Sequence, residues 1–152
     1  MDKYQKNVMD FMGAAGQIVR ATPQDISEHE KILRVRLLIE EVLELAEASG
    51  VEIFMEDDYE MNKRHVSMNK LNFSCSGDCN LVEVADALAD IDYVNNGAAL
   101  SYGIDLEPIK DEVQRSNMSK FIDGHRNEVG KWIKGPSYSP ANIELEIQKQ
   151  LK

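Results

Sequence analysis

Only two cysteines occur in the chain, Cys75 and Cys79 in "FSCSGDCNL", too few for a disulfide framework and one ligand short of a four-ligand zinc site even if His65 joins them. Two ordinary thiols are the simpler reading. The three histidines, His29, His65 and His125, are scattered, and no Glu-x-x-His pair is present, so the ligand set of a di-iron helical bundle is missing. "EDDYEMNKRH" is acidic but lacks the glycine and terminal glutamate of a calcium loop. Positive charge is scarce: 17 Lys and Arg stand against 27 Asp and Glu, a formal net charge of −10. That balance argues against direct nucleic-acid binding, which rests on clustered cations. No apolar run approaches the roughly 18 residues of a membrane span, and "MDKYQKNVMDFMGAAGQ" lacks the basic, apolar and cleavage regions of a signal peptide. Repeats and low-complexity tracts are absent. What remains is one domain-sized chain of 152 residues, expected to be soluble and cytoplasmic, with no membrane association.

The pattern is helical. Val8, Phe11, Met12, Ala15 and Ile18 recur at helical intervals over about residues 2–20, which predicts an amphipathic helix with one buried stripe. Ser27 with Glu30 three residues on is a capping-box signature, and it opens a long helix that runs to Gly50. Residues 51–80 keep no period and read as an insertion that has room for a short strand pair. Asn80 and Glu83 cap a second long helix ending near Gly103; Asp105 caps a third, "LEPIKDEVQRSN", with Pro108 in its first turn. Beyond Asn117 the chain is punctuated by Gly and Pro, with a short amphipathic tail from about Ala141. The expected architecture is all-α, a bundle of about four main helices.

Carboxylates interrupt the apolar pattern of both long helices. On a helical wheel of about 100° per residue, Ile32, Val35, Leu38, Ile39, Val42, Leu43, Leu45 and Ala46 share one broad arc, and Glu40, Glu41 and Glu44 fall on the rest together with Leu33 and Leu37. A helix apolar nearly all round is a buried helix, so these acids are expected inside the protein or an oligomer interface. In the second long helix Glu83, Asp86 and Asp90 share a strip about 60° wide, continued by Tyr93 and Gly97. Val84, Ala87, Leu88, Ile91, Val94 and Ala98 form its apolar side. Facing each other, the two helices would gather five or six carboxylates, and a cluster of that kind needs a hard divalent cation to offset its self-repulsion. The plain alternative is a pair of solvated acidic faces, the usual fate of Glu-rich runs.

"EEVLE" (Glu40, Glu41, Glu44) followed by "EVAD" (Glu83, Asp86) resembles the paired acid motifs of the all-α nucleoside triphosphate pyrophosphohydrolases, the MazG-like superfamily. With "EVADALADIDYVNNGAALSYGID", "DEVQRSNMSK" and "KWIKGPSYSPANI", the chain looks most like the phosphoribosyl-ATP pyrophosphohydrolase-like branch, which includes proteins with a dUTPase-type preference in bacteria and phages. The resemblance implies hydrolysis of a (deoxy)nucleoside triphosphate between its α- and β-phosphates. It implies Mg²⁺, with Mn²⁺ as a substitute, held by Glu41, Glu44, Glu83 and Asp86, with Asp90 as a further or outer ligand and Glu40 acting on the attacking water. It also implies a homodimer or homotetramer, and host cytoplasm for a phage-encoded copy. The chain departs from the family in the 30-residue segment 51–80 that lies between its acid motifs, which are usually joined by a short connection.

Charge supports a phosphate partner without reference to any family. From Lys110 to Lys134 six cations (Lys110, Arg115, Lys120, Arg126, Lys131, Lys134) meet four acids (Asp111, Glu112, Asp123, Glu128), a local balance of +2 that leaves −12 for the rest. Arg115, Lys120, Lys131 and Lys134 are therefore candidate substrate contacts, of which the motif resemblance favours Lys120 and Lys134; Asn117 in "RSNMSK", Tyr93 and Asn96 join them as candidate base, sugar or phosphate contacts, and a solvated basic loop, with a core role for Tyr93, is the bland alternative. Trp132 reads as a core anchor. The competing function is a catalytically silent helical interaction module that uses the insertion to bind a protein.

Overall fold

The computed structural model describes residues 1–55, 71–75, 77–128 and 130–152. The middle of the insertion, including "EDDYEMNKRH" and His65, lies outside the described residues. Five helices carry most of the chain: α1 (Lys3–Ala14), α2 (Glu28–Ala48), α3 (Leu81–Tyr102), α4 (Leu106–Ser119) and α5 (Ile143–Gln150). Two short antiparallel strand pairs accompany them, β1 (Val51–Met55) with β2 (Leu71–Cys75), and β3 (His125–Arg126) with β4 (Trp132–Ile133). The expected all-α class holds, with the terminal helix added to the four main ones. The insertion forms the strand pair for which it had room, in the register Val51↔Cys75 to Met55↔Leu71.

The chain divides into two compact units, residues 1–31 with 96–152, and residues 32–95. In the first, the core is Val8, Met12 and Leu100. The fully buried Gln5 acts as a polar rivet: its Nε2 donates to the Ile104 carbonyl at 2.7 Å, and its Oε1 accepts from the Leu106 N–H at 3.1 Å. Both backbone groups belong to the α3–α4 connection, where they would otherwise lack partners. That connection turns on Gly103, whose φ of +74° suits glycine and whose missing Cβ leaves room for the Thr22 carbonyl. Asp105 caps α4 by accepting from the Glu107 N–H, as expected, and also receives the N-terminal ammonium at 2.7 Å.

The first helix is shorter than its pattern predicts. It stops at Ala14 instead of continuing to about residue 20, because Gly13 weakens the last turn and Gly16, just past the C-cap Ala15, takes a left-handed φ of +67°. Ile18 therefore leaves the buried stripe, and Phe11 and Ala15 are also exposed.

The capping box at the start of α2 is formed in both directions. The Ser27 hydroxyl accepts from the Glu30 N–H, and Glu30 accepts from the Ser27 N–H, each at 3.2 Å. Arg20 adds a two-pronged ion pair to the same carboxylate at 2.9 and 3.1 Å while donating to the Ser101 carbonyl at 2.6 Å. One guanidinium thus joins the chain before α2, the cap of α2 and the end of α3.

In the second unit α2 departs from expectation. It buries none of its side chains, and Ile32, Val35, Ile39, Val42 and Leu43 are each between 46% and 55% exposed. The apolar arc exists, but the described residues leave it uncovered. On α3, Ala87 is buried and Val84, Ile91, Val94 and Ala98 are half-buried, whereas Leu88 joins the exposed set. The end of α2 is tied to the start of α3 by the Asn80 N–H donating to the Ala48 carbonyl at 2.8 Å. Asn80 also caps α3 as expected, its Oδ1 accepting from the Val82 N–H at 3.1 Å.

Arg20 and Ser27 hold the Glu30 carboxyl down to a pKa of about 2. A lowered carboxyl pKa contributes stability that is fully present above the unfolded value near 4.5 and is lost as pH falls towards 2. Glu30→Ala should therefore lower the melting temperature at pH 7 by a few degrees, and the gap to the unmodified protein should narrow in melts below about pH 4.5 and close near pH 2.

Candidate functional site

The acidic residues lie in the second unit, along α2 and α3. Register follows from the Ala48–Asn80 tie. Glu41 lies seven residues before it on α2, and Asp86 and Asp90 lie six and ten residues after it on α3. At 1.5 Å per residue along each helix these acids lie about 10 to 15 Å from the tie, similar distances on the two helices.

Electrostatics agrees with that geometry. The Glu41 carboxyl is pushed above its ordinary pKa, first by burial and then by the charges of Glu44, Asp90, Glu40 and Asp86. Its Oε2 atom is buried and accepts no hydrogen bond among the described residues. Four of the other five predicted acids thus act on Glu41; the fifth, Glu83, stands exposed in the first turn of α3.

Whether this set suits a divalent cation has two answers. The donor chemistry fits: several hard carboxylate oxygens, one of them buried and unsatisfied, are what Mg²⁺ or Mn²⁺ takes. The side chains are not gathered, however, and among the described residues no three His, Cys, Asp or Glu side chains close on one point. Glu40, Glu44, Asp86 and Asp90 are exposed, and mutual repulsion directs such groups towards water. The half-buried Glu41 is the fixed member of the set.

The basic residues lie in the first unit. Lys120 Nζ donates to Asn117 Oδ1 at 2.7 Å, and Lys134 Nζ sits 4.1 Å from the centroid of the Tyr138 ring. The Tyr138 hydroxyl accepts from Ser116 Oγ at 3.4 Å, and its pKa is lowered, first by that hydrogen bond and then by Lys134 and Lys120. Lys120, Lys134 and Asn117 are therefore brought together around a tyrosine that the sequence reading passed over. The signal was its place four residues after Lys134 in "KGPSY", across a Gly-Pro turn.

Arg115 is placed otherwise. Its guanidinium grips Glu112 at 2.6 and 2.7 Å and reaches Ser139 Oγ and the Pro140 carbonyl, so its donors tie α4 to the segment before α5. Lys131 is exposed in the β3–β4 turn, where its backbone N–H donates to Asn127 Oδ1. Asn96 is fully buried, and Tyr93 is 38% exposed. Trp132 is half-buried, packs on Phe121 at 4.7 Å and donates from Nε1 to the Lys120 carbonyl, an anchor for the lysine's backbone.

Against known families, the model described as phosphoribosyl-ATP pyrophosphohydrolase matches residues 8–117. The chain belongs to that family. The match spans both acid stretches and the connection between them, so the family's all-α pyrophosphohydrolase frame includes α1 to α4 up to Asn117. It stops short of Lys120, Lys131, Lys134 and Tyr138. A search of the curated proteins finds no match. Membership of the phosphoribosyl-ATP pyrophosphohydrolase family makes the chain a nucleotide pyrophosphohydrolase, acting on an acid anhydride.

A carboxyl with a raised pKa opposes folding while it is ionised. Between the unfolded value near 4.5 and its higher folded value the native state holds the extra proton, so stability falls as pH rises through that window. In chelator, Glu41→Gln should melt a few degrees higher than the unmodified protein at pH 7, with the difference vanishing below about pH 4. Equal or lower melting of the variant at pH 7 would show that Glu41 is not under electrostatic stress.

Proposed function

We propose that the chain hydrolyses (deoxy)nucleoside triphosphates between the α- and β-phosphates, releasing the monophosphate and pyrophosphate, with Mg²⁺ as cofactor and Mn²⁺ as a substitute. The observation that carries this reading is the buried, unsatisfied Glu41 oxygen crowded by Glu40, Glu44, Asp86 and Asp90. Glu41, Glu44, Asp86 and Glu83 would hold the cation, with Asp90 as a further or outer ligand. When bound, Mg²⁺ supplies screening of the polyphosphate charge and orientation of the anhydride. Glu40, exposed beside Glu41 on α2, is suited to take the proton of the attacking water as the bond to the pyrophosphate group breaks. Lys120 and Lys134 offer two cations to phosphate oxygens, with Asn117 fixing the first. Tyr93 and Asn96 stay as candidate base or sugar contacts.

Among substrates dUTP stands first, from the motif resemblance; the family's name adds phosphoribosyl-ATP to the same panel. A homodimer or homotetramer follows from the exposed arc of α2, since contiguous apolar residues of this kind mark interaction surfaces. No described helix is long and apolar enough to cross a membrane, and a cytoplasmic location is the setting we propose for the activity. The second reading, a silent module that binds a protein through the insertion, draws on Phe54 and Phe73 of the β1–β2 pair, each about half exposed.

Pyrophosphate release from canonical and modified nucleotides, dUTP and phosphoribosyl-ATP included, tests the reading. With Mg²⁺ at least one nucleotide should turn over. Chelator, or Glu41→Gln in a folded protein, should reduce the rate by about 100-fold or more. Silence across the panel from folded protein would favour the binding module. Light scattering should return a dimer or tetramer, and Val35→Glu with Ile39→Glu should shift it towards monomer; a monomeric unmodified protein would contradict the assembly.

A further inference from the structure

Tyr138 stands where donors and positive charge converge. Ser116 Oγ donates to its oxygen, the Lys134 ammonium lies over its ring, and Lys120, held by Asn117, adds charge that the phenol senses. With Ser116 donating to the phenol oxygen, the Tyr138 O–H is left to turn towards another acceptor. Among the described residues neither Lys120 nor Lys134 has a carboxylate partner, unlike Lys31, Lys110 and Lys149, which form ion pairs at 2.7, 3.3 and 2.6 Å. A hydroxyl with the Lys134 ammonium over its ring, a second cation on the neighbouring end of α4, and no carboxylate partner for either among the described residues form the donor set of an anion site.

The surrounding backbone is fixed before any ligand arrives. Ser119 Oγ accepts from the Ser139 N–H at 2.9 Å and donates to the Ser116 carbonyl at 2.7 Å. Asp123 accepts from the Ser137 N–H at 3.0 Å. Tyr138 is thus held from both neighbours, and Trp132 Nε1 holds the Lys120 carbonyl at 2.6 Å. A site whose supports are already paired loses little freedom on binding.

We propose that Tyr138 is a substrate-contacting residue, its hydroxyl donating to a non-bridging phosphate oxygen that the Lys120 and Lys134 ammonium groups also hold. That the anion is a polyphosphate rests on the pyrophosphohydrolase reading. A phenol that already accepts from Ser116 is the better donor to such an oxygen, because hydrogen bonds in a chain polarise one another. Tyr138→Phe removes this donor alone and keeps the ring beneath Lys134.

Calorimetric titration of inorganic pyrophosphate into the full chain, in chelator, provides the test. Tyr138→Phe should weaken binding about tenfold, the order expected for one hydrogen bond to a charged group, and Lys134→Gln should also weaken it. Ser116→Ala removes the support but not the donor, so it should weaken binding less than Tyr138→Phe. Pyrophosphate should also shift the ultraviolet phenol titration of the unmodified protein and leave that of Tyr138→Phe unmoved. Undiminished affinity in Tyr138→Phe, an equal loss in Ser116→Ala, or no binding by the unmodified protein would each overturn the proposal. Turnover measured in parallel separates it from the enzymatic reading. Tyr138-dependent binding without nucleotide hydrolysis upholds the anion site and removes the enzyme, whereas hydrolysis with Tyr138-independent binding does the reverse.

Discussion

Like charges held close together, with one of them partly out of water, set the terms for the second unit. Glu41 is buried enough to lose hydration and is near enough to Glu40, Glu44, Asp86 and Asp90 to be repelled by all four. An isolated carboxylate in that position costs stability, and folding has other ways to fill a helix position. The Ala48–Asn80 tie nevertheless joins the end of α2 to the start of α3, and the acids of both helices act on Glu41. A structural acid would carry a partner of the kind that Glu30 finds in Arg20 or Glu112 in Arg115. Glu41 has no hydrogen-bond donor for its buried oxygen among the described residues, and a cation is the partner that satisfies both its charge and its lone pairs.

The two units use charge in opposite ways. In the first, several ionised groups have a local purpose: the N-terminal ammonium joins Asp105, Arg20 clamps Glu30, and Arg115 clamps Glu112. These pairs, with the Gln5 rivet, give a small core of Val8, Met12 and Leu100 a defined frame. Lys120 and Lys134, near Tyr138, form no ion pair among the described residues, and neither do Glu41 and the four acids that act on it. Charges left without an ion pair near a candidate site are what a chain that binds a charged partner needs.

Helix identity and ends were legible from the sequence because they rest on local chemistry. Ser27 with Glu30, Asn80, Gly103 and Asp105 act within a few residues of their own position, and each does in the structure what its type and spacing imply. The acid strip was legible for the same reason, since helical spacing alone places Glu41 with Glu44 and Asp86 with Asp90. Burial was not, because it depends on what covers a face. The arc from Ile32 to Leu43 has the pattern of a core and stands exposed. Nor could spacing reveal that Arg115 would reach the Pro140 carbonyl, or that Tyr138 would fold back onto Ser116, since each depends on contacts more than 20 residues apart in the chain. The early end of α1 was misread where two glycines outweighed a continuing apolar period.

The central claim is that the Glu41 cluster is a site for a divalent cation, and proton release on metal binding tests it most directly. Glu41 has a raised pKa in the free protein and must ionise to bind a cation. Calorimetric titration with Mg²⁺, in buffers of different ionisation enthalpy near pH 6, should therefore show saturable binding with net release of protons, and both should be lost in Glu41→Gln. Absence of Mg²⁺ and Mn²⁺ binding, or binding that Glu41→Gln leaves unchanged, would contradict the account.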